Sequence, residues 1–387
     1  MAPPSPSPSA ARPRVLHFVT GGFSGATQVA LDLVEAHGAS GNFQALLVLR
    51  KKRTTAPERV VALRRRGLAV EVVAGWSHVV TIWQLLAVCR QFKPDILVAH
   101  GFSEHLWGRY AGLLARVPHL IHVEHNSRER YTRARLAQAL WLSQRTDAIV
   151  GCSEGVRESL LERGFPSTKI TAIPNGIRLA PYAGATEHPF ALRTPGIVMA
   201  ARFARQKDHA TLLRALALLR ARGYTPPVYL AGGGKAYALR AARKLCQQLG
   251  LEGQVQFLGY CNDVPGLLMA HQICVLATHY EGMPLSLIEG MAAGCAVVGS
   301  QVVGVQEVID SGRNGVLVAH ADPKALADAL EHLLRDDVAA AQMAAAARAD
   351  VLQHYSLEHM AKRYEDLFQD VMMRPPRTPP QRPAMWR

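Results

Sequence analysis

Cysteine is scarce in this chain and scattered. Six residues (Cys89, Cys152, Cys246, Cys261, Cys274, Cys295) lie far apart with no CxxC pair, which argues against a zinc site and a disulfide framework and leaves reduced, buried thiols. Long apolar runs are missing as well. Nowhere do about 18 uncharged apolar residues run together, and the opening MAPPSPSPSAARPR has no apolar core of signal-peptide length, so neither a spanning helix nor an export signal is expected and the cytoplasm is the expected compartment. Aromatic residues make up only 6%, and no nucleic-acid recognition motif is present, so a nucleic-acid partner is not expected. Acidic residues number 30 against 44 basic ones, a formal charge of +14.

That excess is unevenly placed. Residues 1–185 carry 23 basic against 12 acidic side chains, whereas residues 186–387 carry 21 against 18. One face of the first half is therefore expected to meet something anionic. Two segments concentrate the charge, LRKKRTTAPERVVALRRRG (49–67) and SRERYTRARLAQALWLSQR (127–145). Mixed with Val60, Val61, Leu63, Tyr131, Leu136, Leu140 and Trp141, they have the composition of helices that lie on an anionic leaflet. The same composition also suits helices whose apolar side packs on a sheet while the charges are solvated.

At 387 residues, 49% apolar and 19% charged, the chain has room for two soluble domains with closed cores. Short apolar runs alternate with helical patterns from end to end: RVLHFV, QALLVL, AVEVV, DILVAH, HLIHVEH and DAIVGC, then GIVMAA, PVYLAG, VQFLG, ICVLA, CAVVGS and GVLVA. Such repetition predicts an α/β fold of two doubly wound, Rossmann-like parallel-sheet domains. The rhythm breaks once, in RLAPYAGATEHPFALRTP. The expected division is an unstructured 1–13, a first domain over 14–180, a linker over 181–195, a second domain over 196–355, a C-terminal helix over 356–372 crossing back to the first domain, and an unstructured 373–387. Ligands of open parallel sheets bind at the carboxyl ends of the strands, so the two domains should face each other across a cleft lined by strand-to-helix loops.

The loop after ICVLA reads HYEGMPLSLIEGMAAG (279–294). Pro284 suits a first helical position, and the amides of Leu285 and Ser286 then lack intrahelical partners and form a phosphate seat. Glu281 in the loop and Glu289 on the helix bracket that seat, although a chain with 30 acids produces many such pairs by chance. Just past the linker, RFARQK sets Arg202 and Lys207 where both reach the same phosphates. In the first domain, Gly21 and Gly22 of GGFSGA lie between a strand and a helix, where glycine lets backbone approach a ligand. GGFSGA is not GxGxxG in register, no acid ends the second strand, and AGGGKAY lacks the Walker spacing. His17 and His122 fall inside strands, whereas His100 and His125 stand at strand ends facing the cleft.

With these residues the chain, from about Arg14 to Met372, resembles the large retaining glycosyltransferases of the GT-B fold, group 1 or family four, whose glutamate, seven residues, glutamate motif is similar to Glu281 through Glu289. The resemblance implies catalytic roles for His125, Arg202, Lys207 and Glu281, with His125 beside the sugar's hydroxymethyl group and Glu281 on sugar hydroxyls. Donor binding would fall to Gly21, Gly22, Gly282, Leu285, Ser286 and Glu289, the last on the ribose. It implies a metal-independent hexosyl- or N-acetylhexosaminyltransferase, in keeping with a sequence that has no DxD. The substrate would be a nucleoside diphosphate sugar, a UDP-sugar being favoured, with no cofactor. The acceptor would be a glycan or lipid-linked hydroxyl in bacterial lipopolysaccharide or surface polysaccharide synthesis, at the cytoplasmic face of an anionic membrane. A nucleotide-sugar epimerase of the same fold and a non-catalytic glycan-binding protein remain the alternatives.

Overall fold

The computed structural model describes residues 12–101, 103–128 and 131–376; most of the ends expected to be unstructured, 1–11 and 377–387, lies outside them. Thirteen strands form two sheets, and every pairing is parallel. The first sheet holds β1 (Arg14–Thr20), β2 (Gln44–Arg50), β3 (Val70–Val73), β4 (Ile96–His100), β5 (His119–Glu124), β6 (Ala148–Gly151) and β7 (Ile170–Ala172), in the order β3-β2-β1-β4-β5-β6-β7. The second holds β8 (Thr194–Ala200), β9 (Val228–Ala231), β10 (Val255–Gly259), β11 (His271–Leu276), β12 (Ala296–Ser300) and β13 (Val316–Val318), in the order β10-β9-β8-β11-β12-β13. Both orders reverse direction once, between β1 and β4 and between β8 and β11. Those two switch points are where an open parallel sheet leaves a crevice.

Helices on both faces bury the central strands, which is why runs such as ILVA in β4 are apolar without alternation. Helix starts are set by side chains. Asp322 accepts from the amides of Lys324 (2.9 Å) and Ala325 (3.0 Å) ahead of helix Pro323–Arg335, and Ser356 accepts from His359 N (3.0 Å) ahead of helix Leu357–Met372. That last helix carries Leu357, Met360, Ala361, Tyr364, Phe368 and Val371 at three- and four-residue spacing. They are buried with Val15, Ile96, Ile121 and Val150, so the C-terminal helix completes the core of the first domain. Burying its five larger apolar side chains contributes on the order of 10 kcal/mol.

The stretch read from sequence as a linker is packed rather than free. Tyr182 and Ala185 are buried, and the buried Arg193 donates to the carbonyls of Ala293 (2.7 Å), Gly294 (2.9 Å) and Ala185 (3.1 Å). β8 begins at Thr194, two residues before the expected start. The chain crosses between domains at Ile173–Leu179 and again at Tyr355–Leu357. There Ile177 N donates to Tyr355 O (2.9 Å) and Leu357 N to Ile177 O (2.8 Å). A Cβ on Gly176 would stand 2.1 Å from Ser356 O, so only glycine fits between the two crossing strands of chain.

The two basic segments differ in what they expose. In helix Pro57–Arg65, Val60 and Leu63 point into the core, which removes the apolar side that a leaflet would need. Exposed apolar groups gather instead on Trp76, Val79 and Trp83, at and within helix His78–Phe92, and on Trp141. Among the described residues no helix is long and apolar enough to cross a membrane.

Candidate active site

A cavity of about 230 Å³ opens between the two sheets, lined from one side by the loops after β1, β4 and β5 and from the other by the loops after β8 and β11. Both switch points thus contribute to one site.

On the second domain, Glu281 is buried, and its Oε1 accepts from Lys207 Nζ (2.5 Å) and Thr278 Oγ1 (2.8 Å). Its Oε2 has no partner among the described residues. The carboxylate is therefore fixed by one oxygen and free at the other. Arg202 is exposed, lines the cavity and forms no ion pair among the described residues. Helix Leu285–Ala292 starts beside it, one place later than expected, with Pro284 as the N-cap residue rather than the first helical one, and no side chain caps it. The amides of Leu287 and Ile288 bond to Pro284 O (3.0 and 3.2 Å), leaving those of Leu285 and Ser286 without an intrahelical partner. Leu285 lines the cavity; Ser286 does not. Gly282 lines it too, and a Cβ there would stand 2.2 Å from His125 O across the interface. Ser127 Oγ donates to Glu281 O (2.7 Å) from the same side. The domains are thus closed on each other at this loop.

Glu289 is half-buried one turn into the helix and outside the cavity lining. Burial and the facing Asp32 raise its carboxyl to about 7. Asp32 is itself held by Arg178 Nε (2.8 Å) and Gln28 Nε2 (3.1 Å), and burial raises it as well.

On the first domain, His125 and His100 line the cavity together with Thr20, Ser24, Gly25, Ala26, Glu104, Asn126 and Asn175. His125 Nε2 is hydrogen-bonded to His100 Nδ1 (3.1 Å), and burial lowers its imidazole to about 4. Among the described residues no carboxylate holds the His125 ring. Gly21 and Gly22 do not reach the cavity, contrary to expectation. Gly21 is pressed against the end of β2, its N–H donating to Arg50 O (2.8 Å) and its carbonyl accepting from Thr55 Oγ1 (2.8 Å), and Gly22 faces Thr20, Thr54 and Lys52. The close backbone approach is real, but it is made to the neighbouring loop, and Ser24 and Gly25 take the cavity side.

Sequence reasoning passed over two contributors. Glu104 is buried at the cavity wall and paired with Lys52 (2.7 Å) and the buried Arg50 (3.3 Å). Asn175, in IPNGI, has a buried Oδ1 with no partner, while its N–H meets Met283 Sδ (3.0 Å). An arginine ending β2 and an acid opening the helix after β4 were the visible signal for the first; the second carries none beyond its place at a domain crossing.

Behind the wall, His105, His122 and Glu124 offer three ligand atoms within 4.8 Å of one another. They do not fit a metal ion. His105 Nδ1 accepts from the fully buried Arg109 (2.6 Å) and His105 Nε2 is engaged by Tyr131 OH (3.0 Å), so its ring has no lone pair to give and a guanidinium stands beside it. Tyr131 OH also donates to Glu124 Oε2 (3.3 Å). Burial raises Glu124 to about 7 and lowers Arg109 to about 10.

Comparison with known proteins gives one family match per domain. A model described as glycosyltransferase family 4 matches residues 23–180, and one described as glycosyl transferases group 1 matches residues 194–336. Among relatives, N-acetyl-alpha-D-glucosaminyl L-malate synthase of Bacillus anthracis is 33% identical over 129 residues, 33% of this chain and 34% of its own length. A lipopolysaccharide core biosynthesis glycosyltransferase of Rhizobium meliloti is 24% identical over 363 residues, 92% of this chain and 98% of its own. Among solved structures, the Anabaena protein HepE in complex with UDP-glucose superposes with a TM-score of 0.80 at 20% identity, covering 92% of this chain and 99% of that one.

Proposed function

Since the chain belongs to the group 1, family 4 glycosyltransferases of the GT-B fold, we propose that it moves a hexose or N-acetylhexosamine from a nucleoside diphosphate sugar to a hydroxyl, retaining the anomeric configuration. One observation carries this reading: a guanidinium with no ion pair among the described residues (Arg202), an uncapped helix start (Leu285) and a half-free carboxylate (Glu281) converge on one cavity, and the ammonium of Lys207, outside the lining, holds that carboxylate by its other oxygen. The cations and amides suit a pyrophosphate and the free carboxylate oxygen suits a pair of sugar hydroxyls.

In the reaction the bond from the sugar's anomeric carbon to the distal phosphate oxygen breaks, and its electron pair stays on that oxygen. Arg202, Lys207 and the helix start stabilise the charge that grows there, in the place a metal would otherwise take. The acceptor hydroxyl adds to the same face, and its proton passes to the departing phosphate oxygen. No protein nucleophile is needed. A UDP-sugar is the favoured donor, supported by the UDP-glucose found with the Anabaena protein of this fold.

For the acceptor we favour a glycan or lipid-linked intermediate of bacterial lipopolysaccharide or surface polysaccharide, in line with the Rhizobium relative. The enzyme would then work on the cytoplasmic face of the membrane. Four of the five tryptophans fall between residues 76 and 141, with Trp76 81% and Trp83 68% exposed. Indole rings favour the boundary between water and lipid, which supports this side as the one that meets an anionic leaflet.

Calorimetry against UDP, GDP and ADP and their sugars, with EDTA present, tests the donor. Arg202→Ala and Lys207→Ala should each weaken diphosphate binding about tenfold to a hundredfold, the worth of one charged hydrogen bond. Arg202→Ala leaves stability unchanged, because its guanidinium holds nothing in the protein. If neither variant alters binding, or if the donor sugar is converted without any acceptor, the transferase reading fails.

A further inference from the structure

Three histidines from three different segments of the first domain form a hydrogen-bonded row. His17 Nδ1 meets His100 Nε2 at 3.0 Å, and His100 Nδ1 meets His125 Nε2 at 3.1 Å. The rings of each pair are stacked, with centroids 5.3 Å apart in both. The row begins in the core, where His17 in β1 lies beside His37 and Phe368, and ends at the cavity with His125. Both nitrogens of His100 are used. The two ring atoms left without a partner among the described residues are the ends, His17 Nε2 and His125 Nδ1.

A count of protons decides which way the row runs. Burial keeps all three imidazoles neutral at physiological pH, so three rings carry three N–H groups. Two are spent between rings. The third stands at one end, either on His17 Nε2 or on His125 Nδ1. On His17 it would be an N–H sealed in the core with no acceptor, since His37 is not within hydrogen-bonding reach. Buried donors without acceptors are rarer than acceptors without donors. At the other end Nδ1 is buried too, but it belongs to a residue that lines the cavity, where a ligand can supply the acceptor.

We infer that His17 and His100 act as positioning residues that fix His125 in its Nδ1–H form, so that it meets its ligand as a hydrogen-bond donor and not as a base. To accept a proton at Nδ1, His125 would have to pass its own along the row and charge a ring in the core. In the transferase reading, on which only the identity of the ligand rests, this N–H falls to an oxygen of the donor sugar. The tautomer itself does not depend on that reading.

The test is a two-bond proton–nitrogen correlation spectrum of the full chain labelled with [15N]histidine at pH 7.5, with His125→Gln to assign the signal. His125 is expected in the Nδ1–H pattern. In His100→Phe it should revert to the Nε2–H form that imidazole prefers in water. His100→Asn places an amide nitrogen where Nδ1 was and should hold the Nδ1–H pattern. His209 and His271 in the second domain report that the fold is intact. Turnover per donor concentration should fall about tenfold in His100→Phe, one hydrogen bond's worth, and recover in His100→Asn. An Nε2–H pattern for His125 in the unaltered protein overturns the inference, even if His100→Phe fails to fold, and so does a His125 signal that ignores His100→Phe. A chain with Nδ1–H on His125 that transfers no sugar supports this inference and sinks the transferase reading instead.

Discussion

At the scale of single residues, Glu289 is a group beside the candidate site whose charge is costly. Its carboxyl is raised from 4.5 to about 7 by burial and by Asp32, so the folded protein holds a proton there that the unfolded chain has already lost. Stability from this group is therefore present below pH 4.5 and is lost as pH rises through 7. Glu289→Gln removes the liability. It should stabilise the protein by up to about 3 kcal/mol at pH 8 and by almost nothing at pH 5, read by denaturant unfolding at the two values. Equal effects at both would mean that burial and Asp32 do not raise the Glu289 carboxyl as described. Glu281 and Glu289 were both legible in the sequence because they share one segment with a helix start between them. Arg50 and Glu104 were not, since they are 54 positions apart and meet only because β2 and β4 both flank β1. The histidine row was hidden for the same reason: His17, His100 and His125 belong to neighbouring strands β1, β4 and β5, whose adjacency is set by the crossover.

At the scale of elements, the closed arrangement is held by a helix start capped from the other domain. Glu307, in the second domain, accepts from the amides of Glu154 (2.7 Å) and Gly155 (2.5 Å) at the start of helix Glu154–Glu162 in the first. Tyr355 OH donates to the Glu307 carbonyl (3.2 Å). Glu307→Ala removes about 1 kcal/mol of capping that only the closed form enjoys, so the radius of gyration in small-angle scattering should rise without ligand. An unchanged scattering curve would assign closure to the contacts of Gly282 with His125 and of Ser127 with Glu281 instead. Such a cap was not legible: the helix start carries its own Ser153 cap, and nothing local marks the second carboxylate. Helices Pro323–Arg335 and Leu357–Met372 were legible because Asp322 and Ser356 sit at their starts. The packing of stretch 181–195 was not legible because its prolines and small residues hide how firmly Arg193 ties it down.

At the scale of the whole molecule, buried histidines govern the response to acid. His17, His100, His105 and His122 lie well below their ordinary range, and His37, His125 and His209 near 4, all chiefly through burial. Each contributes stability that is present above 6.5 and is lost as pH falls towards 4. Glu124 and Glu289 act in the opposite sense over the same window. The histidines outnumber the two carboxyls, so unfolding at pH 5.5 should take up protons and stability should rise with pH across this window. Unfolding free energies measured between pH 5 and 7 check the slope; a flat profile would contradict the burial of these rings. The same basic first domain should bind vesicles of anionic lipid and release them as salt is raised. Trp76→Ser with Trp83→Ser should cut that binding at least tenfold and leave transfer to a soluble acceptor intact, as sedimentation with vesicles and a turnover assay would read.

The helix that completes the first core, Leu357–Met372, follows the whole second domain in the chain, so the first domain's core cannot close until that domain has been made. Its sheet meanwhile has that face covered only in part, by Val29 and Leu33 of helix Gly25–Ser40, and stays so through synthesis of the second domain, until Leu357 to Val371 clear the exit tunnel. The part of the protein that begins first is completed last, and in the interval that open face is what a chaperone would hold.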